Sequence, residues 1–66
     1  MKFYVICSLV EKDEETEEPL FWSNKDGWVF LATATVFTAA ERKWATLPFA
    51  EKRPVWVELP TIPTNI

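Results

Sequence analysis

Gly27 is the only glycine among 66 residues, and it marks the place where this chain turns most easily through left-handed backbone conformations. It closes a polar corner between two aromatic-rich runs, Phe21-Trp22-Ser23-Asn24-Lys25-Asp26-Gly27-Trp28-Val29-Phe30. Asn24, Lys25 and Asp26 supply a tight turn, and a glycine suits the last position of a short hairpin loop. Trp22 and Trp28 flank that turn and are expected to face each other across two strands. Aromatic cross-strand pairs contribute about 0.2 to 1 kcal/mol each, which fixes register but does not fold a chain alone. This hairpin is read as the unit on which the fold is built.

The chain has no histidine and a single cysteine, Cys7, so an intrachain disulfide is excluded and a zinc site of the usual ligand types has nothing to hold it. A domain this short sits near the lower limit for folding without metal, disulfide or partner. Stability must therefore come from packing. Four tryptophans suit a small core and leave one or two rings for the surface, where aromatics anchor binding sites. Charge is distributed unevenly: Glu11 to Glu18 holds six acids and one lysine, a balance of −5 in a chain whose net charge is −3. Such a chain is a poor candidate for direct nucleic-acid binding, which depends on clustered Lys and Arg. No stretch has the length of a membrane span, and the N-terminus does not resemble a signal peptide. A cytoplasmic protein with Cys7 reduced is the expectation.

In chain order, Phe3 to Val10 reads as a central strand, because both of its faces are largely apolar. Cys7 is expected to be a small buried side chain. Glu11 to Pro19 repels itself and is expected to be a mobile acidic loop between antiparallel strands. A second strand is placed at Leu20–Asn24 and a third at Trp28–Ala32. Thr33 to Phe37 reads as an extended connection or a continuation of the third strand. Thr38-Ala39-Ala40-Glu41 fits a capping box, so the single helix starts there, with Pro48 as its stop. Ala40, Trp44 and Leu47 form its apolar face, while Glu41, Arg42 and Lys43 point outward. Trp44 and Leu47 are expected to dock on the sheet, with Phe37 and Phe49 joining the core. Pro54 to Leu59 reads as the last strand, with Pro54 tolerated at its start. The fold class is α+β: a small antiparallel sheet, β-β-β-α-β, with one short helix packed on a face. Residues 1–59 form the domain and 60–66 an extended tail, either frayed or laid across a neighbouring surface.

Trp22-Ser23-Asn24, Gly27-Trp28, Ala34-Thr35-Val36-Phe37-Thr38, Glu41, Leu47-Pro48 and Trp56-Val57 together resemble a loose group of very small phage, plasmid and bacterial proteins of unknown function. The likeness covers about two thirds of the chain, from the hairpin onward. Its motifs are turn, cap, helix stop and core aromatics, so it implies the fold and a mobile-element setting and transfers no catalytic residue. The acidic loop departs from the group. So does Lys52-Arg53-Pro54, where such proteins often have a glycine-bearing turn.

Catalysis is not expected. Asp26, Glu41, Glu51 and Glu58 are the available acid–base groups, and each has a simpler reading: Asp26 in the turn, Glu41 in the cap, Glu51 and Glu58 on a solvated surface. No Ser–His or Cys–His pair exists, and one glycine cannot build a phosphate cradle. No cofactor, metal or membrane partner is implied. The leading expectation is a binding protein that blocks a host or competitor defence complex, as anti-CRISPR proteins do. Glu14, Glu15, Glu17 and Glu18 would enter a basic nucleic-acid channel of that protein partner, and Trp22 and Trp56 would add contacts. An alternative is an oligomeric sponge that holds a nucleotide between tryptophans, with Lys25, Arg42, Lys43 or Arg53 on its phosphates. A third is an assembly accessory that self-associates through an edge strand and the tail. A homodimer is compatible with all three, because a short chain gains core by pairing.

Overall fold

A computed structural model describes residues 2–59, so the expected tail at 60–66 lies outside the described residues. The elements are β1 (Phe3–Lys12), β2 (Pro19–Ser23), β3 (Gly27–Val29), β4 (Phe37–Thr38), α1 (Ala39–Trp44) and β5 (Pro54–Glu58), with 3-10 turns at Leu31–Thr33 and Ala50–Lys52. The small antiparallel sheet with one helix is present. It has five strands rather than four, because Phe37–Thr38 forms a short strand of its own ahead of the helix.

β1 organises the sheet. Tyr4 pairs with both Phe37 and Glu58, and Cys7 pairs with both Phe21 and Val55. A strand residue has one neighbour on each side, so β5 occupies one edge of β1 while β2 and β4 share the other. The Thr35 N–H donates to the Trp22 carbonyl at 2.9 Å, and the Asn24 N–H donates to Thr35 Oγ1 at 2.8 Å. The segment leading into β4 thus fills the wedge where β1 and β2 part. β3 pairs with β2 on its outer side, with Trp22 opposite Trp28. Because the Trp22 carbonyl is turned toward Thr35, this is the non-hydrogen-bonded kind of pair, in which side chains stand closest. The rings meet edge-on with centroids 5.3 Å apart.

The core follows from that arrangement. Val5 and Ile6 are 0% and 1% exposed, and Cys7, Ser8 and Phe37 are also buried. β1 is therefore the central strand its two apolar faces imply. Beyond Cys7 it changes character: between the pairs Cys7–Phe21 and Lys12–Pro19, β1 advances by five residues and β2 by two. Ser8 accounts for this bulge. Its Oγ accepts from the N–H groups of Val10 (3.0 Å) and Glu11 (2.8 Å) and donates to the Lys52 carbonyl at 2.7 Å. Two consecutive backbone donors, which a regular strand would point to opposite edges, are both satisfied by one buried hydroxyl. Leu9 and Val10 swing outward as a result and are exposed.

The turn chemistry at Gly27 is as expected, with φ at +85°. The Ser23 hydroxyl accepts from the N–H groups of Lys25 and Asp26 at 3.2 and 3.0 Å. Glu17, Phe49 and Arg53 also have positive φ, so three residues with side chains adopt the conformation that glycine favours. Pro54 costs the ladder nothing. Leu59 donates to Phe3 and Leu9 donates to Arg53, and the alternation between those bonds turns the Pro54 nitrogen toward the open edge.

The helix corrects the sequence reading. Its capping box is present: the Glu41 N–H donates to Thr38 Oγ1 at 3.1 Å, and the Thr38 N–H donates to Glu41 Oε1 at 2.8 Å. The helix nevertheless ends at Trp44, short of Pro48, and buries none of its residues. Trp44 is 86% exposed and Leu47 is 38% exposed, so neither docks on the sheet. β4 delivers α1 to the end of β1 in an orientation that lays the exposed Arg42 side chain over the Tyr4 ring. The Arg42 guanidinium carbon lies 4.7 Å from the Tyr4 ring centroid. Phe49 stays largely exposed and touches only the edge of the sheet's aromatic face, 5.6 Å from Trp22. The acidic loop is shorter than expected, since Glu11 and Lys12 belong to β1 and Pro19 to β2.

Ser8→Ala should cost about 1 to 3 kcal/mol in urea unfolding, because it orphans two backbone donors and a carbonyl near the core. Trp44→Ala should stay within about 0.5 kcal/mol of wild type. The reverse order would mean that the helix docks through Trp44 after all.

Candidate partner-binding surfaces

The acidic turn Asp13–Glu18 joins the longest strand to β2 and carries Asp13, Glu14, Glu15, Glu17 and Glu18. Like charge alone would spread it, yet it is closed by hydrogen bonds. Asp13 Oδ2 accepts from the N–H groups of Glu15 (3.1 Å) and Thr16 (2.9 Å) and from the Thr16 hydroxyl (3.1 Å). The Glu17 N–H donates to the Asp13 carbonyl at 2.8 Å, and the Asp13 N–H donates to the Glu18 carbonyl at 3.0 Å. The expected mobile loop is thus a pinned turn. Asp13 spends its carboxylate inside the turn, while Glu14, Glu15, Glu17 and Glu18 are exposed. The N–H of Thr16 is the largest cause holding the Asp13 carboxyl below its ordinary value, helped by the Thr16 hydroxyl and the Glu15 N–H against some desolvation. Behind the turn, Lys52 pairs with Glu11, which pushes the lysine up from its ordinary value and ties the Ala50–Lys52 turn to the base of the hairpin.

The two tryptophans assigned to partner binding are both half-buried on one face of the sheet, since each alternates with the Cys7–Phe21 and Cys7–Val55 pairs. Trp22 packs against Trp28 and Phe49, and its Nε1–H donates to Asn24 Oδ1 at 2.8 Å. Trp56 stands edge-on to Phe37, with centroids 5.2 Å apart, and to Tyr4 at 6.4 Å. Trp22 and Trp28 already touch, so the structure leaves no slot between them for a planar ligand. The cations assigned to a ligand are not gathered either. Lys25 lies in the β2–β3 turn, and Arg42 sits beside Tyr4 near the start of β1. Arg53 is placed near the far end of that strand, its carbonyl accepting from Leu9.

Cys7 is buried, its thiol pushed up by desolvation. Among the described residues no cluster of Cys, Asp and Glu side chains is arranged to hold a metal ion, and no helix is long and apolar enough to cross a membrane. Sequence reasoning missed two features. Asp13 organises the acidic turn, and Asp13-x-x-Thr16 carries the side-chain-to-backbone signature that could have found it. The Arg42–Tyr4–Trp56 contact had no local signal, because its three residues come from three elements. Comparison with family models, curated proteins and solved structures finds no match to this chain in any of the three.

Since its native pKa lies below the ordinary 3.8, the Asp13 carboxylate stabilises the turn above that pH and loses its effect as pH falls through the native value. An NMR titration should show the Glu15 and Thr16 amides moving together below pH 3.8, and Thr16→Val should bring the Asp13 midpoint up toward that figure. A midpoint at or above the ordinary value in the wild-type protein would mean that the turn is open.

Proposed function

We propose that the protein works by contact and not by catalysis, as an inhibitor from a phage or other mobile element that acts in the cytoplasm on a nucleic-acid-binding defence complex. The observation that carries this reading is the pinned acidic turn. Four exposed carboxylates, Glu14, Glu15, Glu17 and Glu18, are presented by a hydrogen-bonded turn at the end of the longest strand. Fixed negative charge at a tip competes for the surfaces that bind a phosphate backbone, and a turn already closed loses little entropy when it docks. The mobile-element setting rests on the resemblance carried by the hairpin, the cap and the last strand.

A second reading, self-association through β5, is favoured by one observation. The backbone groups of Trp56 and Glu58 face away from β1, and among the described residues no strand pairs with that edge. The nucleotide-sponge reading has no such support, because Trp22 and Trp28 pack directly on each other and the cations are dispersed.

Immobilised protein should retain a nucleic-acid-binding complex from lysates of cells that carry antiviral systems, and duplex DNA should compete for it. Combining Glu14→Lys, Glu15→Lys, Glu17→Lys and Glu18→Lys should weaken that binding by about tenfold or more and flatten its salt dependence. Unchanged affinity with an unchanged salt slope would rule the turn out as the contact.

A further inference from the structure

Tyr4 and Trp56 form a corner of two rings at 84° to each other, and a guanidinium sits in it. The Arg42 guanidinium carbon lies 4.7 Å from the Tyr4 centroid and 5.9 Å from the Trp56 centroid, both within cation–π range. The corner is built on the sheet. Tyr4 belongs to β1 and Trp56 to β5, and Phe37, buried at the back, meets Trp56 at 90° and fixes its plane. Glu58 lies directly opposite Tyr4 in the ladder and adds a partly exposed carboxylate, which also reaches Lys2 at 3.7 Å. Two π faces and a neighbouring carboxylate select a planar cation over a neutral or anionic group.

The occupant, in contrast, is held lightly. Arg42 is exposed and, among the described residues, forms no ion pair. It rides on a six-residue helix that buries nothing and is tied down by its capping box and by this contact. Such a helix is marginal in isolation, and the buried residues Val5, Ile6 and Phe37 come from β1 and β4, not from the helix that carries Arg42.

We propose that the Tyr4–Trp56 corner is a recognition site for a guanidinium group, filled by Arg42 in the free protein and taken over by an arginine side chain of a partner chain. The site lies at the Tyr4 end of β1, away from the acidic turn beyond Lys12, and stands independently of the role proposed for that turn. Arg42 acts as an internal competitor, so the apparent affinity for an outside arginine is reduced by the fraction of time the corner is filled.

The test is an NMR titration that follows the Tyr4 ring and Trp56 indole signals. The probe is N-acetyl-arginine amide, up to about 0.1 M so that a weak site is read, and the neutral N-acetyl-citrulline amide is the control. Arginine amide should shift both rings saturably, with about tenfold tighter binding to Arg42→Ala than to wild type. Citrulline amide should leave both unmoved. A dispersed Arg42→Ala spectrum whose rings ignore arginine amide would overturn the proposal. Equal shifts with citrulline, or wild-type affinity equal to that of the variant, would do the same. If Arg42→Ala fails to fold, Arg42→Met keeps the stem and removes the charge. The wild-type titration then also stands alone, with rings that do not move counting against the site.

Discussion

Every other strand of this fold is attached to β1 directly, except β3, which is attached through β2. One ten-residue strand pairs with β5 along one edge and with β2 and β4 along the other, and its Val5, Ile6, Cys7 and Ser8 are consecutively buried. Four buried residues in a row mean that both faces and both edges are covered at once, a condition only a central strand meets. The chain has little else from which to build a core. The helix contributes no buried residue, and the hairpin contributes half-buried rings together with the buried Ser23. The hydrogen bonds of Ser8 decide where this regular stretch stops. They convert the far half of β1 into a bulged arm that carries the acidic turn away from the core.

The same strand sets the distribution of chemistry. At its start lie Tyr4, Phe37, Trp56 and the guanidinium of Arg42. Past its end lie the exposed glutamates. A cation resting on rings and a cluster of carboxylates therefore occupy opposite ends of one rigid element and do not neutralise each other. For a domain of this size that separation is a structural consequence of the antiparallel ladder. β5 brings Trp56 beside Ile6, and the β1–β2 hairpin throws its tip beyond Lys12.

What could be read in the sequence was what short-range chemistry dictates. The Gly27 corner, the Trp22–Trp28 pair, the Thr38–Glu41 capping box, the two-faced first strand and Pro54 at a strand start all depend on a few neighbouring residues, and all are present. The failures have a common cause. Helical spacing put Trp44 and Leu47 on an apolar face, but the helix ends before Leu47, and which face of it turns toward the sheet is set by how β4 delivers it, a long-range property. The hairpin looked like the foundation because its aromatics are dense. Burial falls instead on Val5 and Ile6, whose neighbours come from strands distant in the chain. The left-handed residues Phe49 and Arg53 were equally invisible. Neither is a glycine, and the tight 3-10 turn between them is held against β1 by the Ser8–Lys52 bond. Of the candidate surfaces, the glutamates were legible as charge, while their fixation by Asp13 and the aromatic corner were not.

The central claim, that β1 and not the tryptophan hairpin holds the molecule together, is tested most directly by native-state amide hydrogen exchange. The amides of Val5, Ile6 and Cys7 should be the slowest to exchange and should open only with global unfolding, while those of β3 and α1 open earlier. Slowest exchange in the Trp22–Trp28 hairpin, with β1 already open, would contradict the account.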